Sequence, residues 1–170
     1  VCAYLTIKIF EPHSIYAMRL AQRGELLTHH SDRSILTLMS MDSVIQHYNK
    51  VLYPDMTLMD IANHVSTSRY FVFPVVDKQM KLIGVVYLDD IRHLIFRTEL
   101  YRDFRVAQLM KPPVARLSVQ DPMDVVLKVF DRTRMWNLPV VDSEGTFVGF
   151  IRKSSVLAVY RQMMADYSTD

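Results

Sequence analysis

A 65-residue echo constrains this chain more than any other feature of it. Phe73-Pro74-Val75-Val76-Asp77 recurs as Leu138-Pro139-Val140-Val141-Asp142, and Gly84 recurs as Gly149. Sliding residues 52–95 onto 117–160 needs no gap. Identical pairs are few, but the apolar spacing repeats position for position. Leu58, Ile61, Ala62 and Val65 stand at i, i+3, i+4 and i+7, the stripe of one helix face, and Met123, Val126, Leu127 and Phe130 repeat it. A unit this small cannot bury a sheet alone, so two are expected to pack together, leaving clefts between them.

Each copy reads in the same order. A short strand, about Lys50–Tyr53 and Val114–Val119, leads into the amphipathic helix. Asp121-Pro122 predicts an N-cap followed by proline at the first helical position, and Thr57 with Asp60 predicts a capping box. The strand ending in P-V-V-D follows, then a turn (Lys78–Lys81; Ser143–Thr146) and a second strand (Leu82–Tyr87; Phe147–Arg152), together a hairpin. Asp77 and Asp142 open these turns and read as turn residues. A second helix closes each copy, with Val156, Val159, Tyr160 and Met163 marking its face in the second. The expected fold class is α/β (α+β): two β-α-β-β-α repeats about a pseudo-twofold axis, preceded by a helical linker. The expected pieces are 1–41, 42–104 and 105–170.

Composition excludes several chemistries. A net charge of +2 supplies no field to recruit nucleic acid. One cysteine, Cys2, allows neither an internal disulfide nor a multi-cysteine metal cage. Four glycines, none spaced as G-x-G or G-x-x-x-x-G-K, exclude a P-loop and a dinucleotide fingerprint. The six histidines show no H-x-x-x-H spacing, and no G-x-S-x-G elbow appears. Asp89 and Asp90 are neighbours at a helix start and do not converge on one reacting atom. The eleven methionines read as adaptable packing, or as a subunit or membrane-domain interface. The apolar run Val1–Phe10 is too short to cross a bilayer, which needs about 20 residues. It reads either as a buried first element or as the tail of a membrane helix.

The strand "FPVVD…LIGVVYLDDI" and its copy "LPVVDSEGTFVGFIRKSSV" resemble the core of CBS repeats, and two in tandem resemble a Bateman module, over about residues 42–165. The preceding stretch, His13 to Gly24 above all, resembles the segment joining the last membrane helix of CLC-type chloride channels and transporters to a cytosolic CBS pair. That resemblance implies that Val1–Phe10 ends a membrane helix, with residues 1–41 linking it to the module. It also implies a non-catalytic regulatory part on the cytoplasmic side of the inner membrane. The implied partners are its own membrane transport domain and a twin module in a homodimer, with no nucleic acid. No cofactor is required, and AMP, ADP or ATP is the implied regulatory ligand.

The family's T-x-x-D closing the second strand supplies a hydroxyl and a carboxylate to the ribose. Here the first copy reads Tyr87-Leu88-Asp89-Asp90, and the second, Arg152-Lys153-Ser154-Ser155, lacks the acid. The favoured cleft therefore groups Asp90 and Tyr87 with Pro113, Val114, Met135, Trp136 and Asn137, and with Lys111 or Arg116 for phosphate. The mirror cleft groups Ser155 with Tyr48, Tyr70 and Phe71. Structural readings stand beside these: Asp90 as a helix N-cap, Trp136 as core or interface, and Tyr87 as a plug filling the ribose position. Two other functions remain open, a ligand-free assembly module and a CBS segment of another transporter or a nucleotide-metabolism enzyme.

Overall fold

The computed structural model describes residues 31–48 and 50–167. Val1–Phe10 and His13–Gly24, read as membrane-helix end and linker, lie outside the described residues. In chain order the elements are α1 (Ser31–Leu38), a 3-10 turn (Met41–Ser43), β1 (Ile45–His47), α2 (Leu58–Ser66), β2 (Val72–Val76), β3 (Leu82–Tyr87) and α3 (Leu88–Ile95). A second 3-10 turn (Thr98–Leu100) leads to α4 (Val106–Leu109), β4 (Leu117–Ser118), α5 (Met123–Thr133), β5 (Asn137–Val141), β6 (Phe147–Arg152) and α6 (Lys153–Tyr167). The described residues from Ile35 onward form one compact unit.

The 65-residue offset holds in the backbone register. β2–β3 and β5–β6 are antiparallel hairpins, with bulges at Val75/Val76 and Val140/Val141. Parallel to them run β4, pairing Leu117 with Val140, and the single bridge Leu52–Val75. The two hairpins meet where Lys81 bridges Thr146. There Leu82 N donates to Gly145 O at 3.1 Å, and Phe147 N donates to Met80 O at 2.9 Å. Each residue in that contact faces the copy of the other, so the pseudo-twofold axis passes through it.

What the periodicity could not show is an exchange of leading segments. β1 pairs antiparallel with β6 of the second repeat, Gln46 opposite Phe150, in a sheet ordered β1-β6-β5-β4. Its copy, Lys111, pairs with Val85 of the first repeat. The cores follow the exchange. Leu58, Ile61, Phe73, Val75 and Ile91 pack with Val106, Phe147 and Phe150. Met123, Val126, Phe130, Leu138 and Val156 pack with Leu36, Met39, Met41 and Ile45. Each repeat therefore completes the apolar core of the other, which burial of a two-layer unit requires.

The helix stripes are buried at Leu58 and Ile61, and at Met123, Val126, Leu127 and Phe130. The capping box forms: Thr57 N donates to Asp60 Oδ2 at 2.8 Å, and Asp60 N donates to Thr57 Oγ1 at 3.3 Å. The Thr57 backbone bond, foremost, holds the Asp60 carboxyl below its ordinary range. The N-cap of α5 is Pro122, one residue later than predicted, because Asp121 instead accepts from Ser118 N at 2.8 Å. The expected strand Lys50–Tyr53 shrinks to the bridge at Leu52, and Val114–Val119 to Leu117–Ser118, since only those residues lie beside a hairpin strand.

Asp77 Oδ1 accepts from Gln79 N and Lys81 N, and Asp142 Oδ1 from Glu144 N and Thr146 N, as turn residues do. Both turns need a left-handed residue at the same place. The second supplies Gly145 at φ 84°, whereas the first supplies Met80 at φ 62°. A side chain in that region costs about 1 kcal/mol. Met80→Gly is therefore expected to raise stability by up to about 1 kcal/mol in urea denaturation; a loss would mean that the Met80 Sδ contact to the Tyr53 hydroxyl at 3.7 Å outweighs the relief.

Candidate functional site

The antiparallel crossing of β1 over β6 leaves a cavity of about 200 Å³ beside it, whose lining includes Gln46, Tyr48, Tyr70, Asn137, Phe150 and Arg152. Tyr48 is buried because β1 delivers it under β2, where its hydroxyl donates to Val72 O at 3.1 Å. Its ring lies 4.0 Å from that of Tyr70 and 5.4 Å, edge-on, from that of Phe150. Burial, foremost, pushes the Tyr48 phenol above its ordinary range, so it stays a neutral donor. Arg152 Cζ stands 5.8 Å from the Tyr70 ring centre, within cation–π range. Beside it lies a second cavity of about 580 Å³ that shares Gln46, Arg69, Tyr70 and Arg152 and adds His47, Lys50, Thr67 and Ser68.

A pseudo-symmetric mate exists. A cavity of about 370 Å³ is lined by Phe71, Val72, Tyr87, Asp89, Arg134, Met135, Trp136 and Asn137. Advancing its first-repeat residues by 65, and setting back its second-repeat residues by the same, yields residues that all line the first cavity. Phe71, Val72, Trp136 and Asn137 line both and form the wall between them. The helices that close the repeats start at this wall: Leu88 N donates to Phe71 O at 2.8 Å and Lys153 N to Trp136 O at 3.0 Å.

The sequence favours the Asp90 side, and the geometry there is different from the expectation. Asp90 is not an N-cap. Tyr87 holds that position, and Asp90 sits in the first turn of α3 because the strand ends one residue before Leu88. From there Asp90 Oδ2 pairs with Lys111 Nζ at 2.8 Å, an exposed ion pair of about 0–1 kcal/mol. The mate of this pair is Gln46 Nε2 donating to Ser155 Oγ at 3.3 Å. Burial, then the Asp90 carboxylate, raise the Tyr87 phenol, and Tyr87 is half-buried on the cavity wall.

The structure thus gathers Tyr87, Met135, Trp136 and Asn137 around one cavity, while Asp90, Pro113, Val114 and Arg116 stand outside its lining. Tyr48, Tyr70 and Phe71 line the other, with Ser154 in the lining and Ser155 tied to Gln46. Trp136 is 75% exposed and Phe71 61%, so Trp136 is not a core residue: its strand, β5, begins only at Asn137. Sequence reasoning missed Gln46, Arg69, Lys50 and Arg152 as lining residues. Their signal was available only through the 65-residue offset, since Arg152 occupies the position of Tyr87 and Gln46 that of Lys111. Among the described residues no group of His, Cys, Asp or Glu is placed to hold a metal ion, and no helix is long and apolar enough to cross a membrane.

The CBS domain family matches twice, over residues 41–97 and 106–162. Inosine-5'-monophosphate dehydrogenase of Methanocaldococcus jannaschii is 24% identical over 148 residues, which are 83% of this chain and 29% of the dehydrogenase. The chain therefore spans under a third of that relative. The crystal structure of CBSX2 in complex with AMP is similar at TM-score 0.61 and 23% identity, covering 73% of this chain and 96% of that one. The CBS domain of a bacterial CNNM/CorC family Mg2+ transporter in complex with ATP is similar at 0.65 and 20%, covering 75% and 91%. Such likenesses establish the fold, and CBS modules are generally regulatory rather than catalytic. With a duplicated backbone, exchanged leading strands and paired clefts, the chain belongs to the CBS domain family and carries that domain as a tandem pair.

Proposed function

We propose that this chain is the cytosolic regulatory CBS pair of a CLC-type chloride channel or chloride/proton antiporter, and that it responds to an adenine nucleotide held in the Tyr48–Tyr70–Arg152 cavity. The observation that carries the ligand is the meeting of three aromatic rings with Arg69 and Arg152 in one cleft. Tyr48, Tyr70 and Phe150 offer an apolar slot for a base, and Asn137 and Gln46 offer amides to its edge. The guanidiniums meet phosphate. Ser154 and Ser155 stand where a ribose would find a carboxylate in the other repeat, so the ribose is held by neutral bonds. That weakens binding by about 10- to 100-fold relative to a carboxylate.

The host is supported by the likeness of His13–Gly24 to the CLC linker. In that setting the module is non-catalytic, lies beneath the membrane domain on the cytoplasmic side of the inner membrane, and dimerises with its twin. Any nucleotide effect on transport equals the difference in its affinity for two conformations.

Titration calorimetry on the chain with AMP, ADP and ATP tests the ligand. Heat that Arg152→Ala reduces at least about 10-fold in affinity is the expected result. Heat lost with Asp90→Ala instead moves the ligand to the Tyr87 cleft, and no heat at millimolar nucleotide leaves an assembly module. The host is tested by the coding sequence upstream of Val1: an apolar run completing about 20 residues with Val1–Phe10 supports it, and an enzyme domain there overturns it.

A further inference from the structure

Resting on the reading of that cavity as an adenine-nucleotide site, we infer that its ligand is a nucleoside di- or triphosphate rather than a monophosphate. In this arrangement the base and ribose fill the inner chamber and the phosphates run outward between Arg69 and Arg152 toward Lys50. The inner chamber, about 200 Å³, falls below the roughly 300 Å³ at which small-ligand sites begin, so a nucleotide seated there extends into the outer one. Arg69 and Arg152 stand where the two chambers adjoin, since both line both.

Charge along this route has one sign. Among the described residues lining either chamber none is acidic, and neither guanidinium has a carboxylate partner. Lys50 Nζ donates to Thr67 O at 3.0 Å and to Thr67 Oγ1, two of its three N–H groups, leaving one for a phosphate oxygen. Thr67 closes the C-terminus of α2, whose carbonyl end would repel an anion, and Lys50 neutralises that end. The mate cavity has a mixed charge instead. Asp89 lines it, paired with Arg92 at 2.6 Å, and Arg134 is the one cation among the described residues of its lining, while Lys111 is taken by Asp90. A polyphosphate is thus directed to one cleft of the two.

Isothermal titration of the chain with AMP, ADP and ATP, each at low and at about 0.15 M salt, measures the effect. ATP is expected to bind at least about 10-fold tighter than AMP, with ADP between, each added charged contact being worth a factor of that order. Lys50→Ala and, separately, Arg69→Ala are expected to narrow the ATP-over-AMP ratio to within about threefold, and salt to narrow it in the unmutated chain. AMP binding as tightly as ATP overturns the polyphosphate inference while the nucleotide reading stands. If none of the three binds at millimolar concentration, both fall together.

Discussion

Gly149→Ala is expected to destabilise the fold by about 3 kcal/mol, against about 1 kcal/mol or less for Gly84→Ala. The two glycines are pseudo-symmetric, and neither has a positive φ, so the backbone itself would accept alanine at both. Alanine would even be favoured through the unfolded chain, by about 0.4–1 kcal/mol. Space decides the sign. At Gly149 a Cβ would stand 2.5 Å from Gln46 O and 3.0 Å from Ile45 Cγ2, because β1 crosses β6 there. A backbone carbonyl paired into a sheet cannot move aside alone, so β1 would lift and lose its ladder. At Gly84 the first obstacle is Met110 Sδ at 3.1 Å, an adaptable side chain, with Lys111 O at 3.2 Å. Urea denaturation of both variants measures the difference. Equal, small losses would show that the strand crossing does not require glycine. Gln46 and Phe150 line the cavity proposed for the nucleotide, so on that reading Gly149→Ala should weaken ligand binding as well.

The second large effect is Phe73→Ala, for which a loss of about 3–5 kcal/mol is expected. Phe73 is fully buried in the core of the first repeat, and a removed ring leaves a cavity that the surrounding strands cannot close. The more informative readout is cooperativity. Phe147 and Phe150 of the second repeat complete that core, and Met41 and Ile45, at the start of the first repeat, complete the other. The amide signals of β5 and β6 report the second repeat by itself when unfolding is followed by NMR. Their midpoint in urea should therefore fall together with the far-UV circular dichroism midpoint when Phe73 is truncated in the first. Amide signals of β5 and β6 that stay put while the dichroism splits would mean that the repeats unfold separately, against a two-state description.

Much of the fold was legible in residues close together along the chain. The helix stripes of α2 and α5, the Thr57–Asp60 box and the aspartate-led turns each depend on contacts within about four positions. The 65-residue echo then implied two copies and a cleft between them. The site was less legible. Of the residues expected at one cleft, Tyr48, Tyr70 and Phe71 line a common cavity and Ser155 does not; of those expected at the other, Tyr87, Met135, Trp136 and Asn137 do, and Asp90, Pro113 and Val114 do not. Asp90 is expected from its family position, but its partner, Lys111, lies on the exchanged segment that bridges Val85.

The chain's own order of residues determined a duplicated unit, its elements, its turns and its two glycines, because period, capping and turn chemistry act locally. Only the tertiary structure decided that each repeat borrows its leading segment from the other, and that Arg69 and Arg152 share a cleft without an acid while Asp89 lines its mate. Arg69 follows α2 of the first repeat and Arg152 ends β6 of the second. No spacing rule relates them. They meet because exposed strand edges and open apolar faces are satisfied at lowest cost by exchange between the copies, and that closure sets which charges face one another.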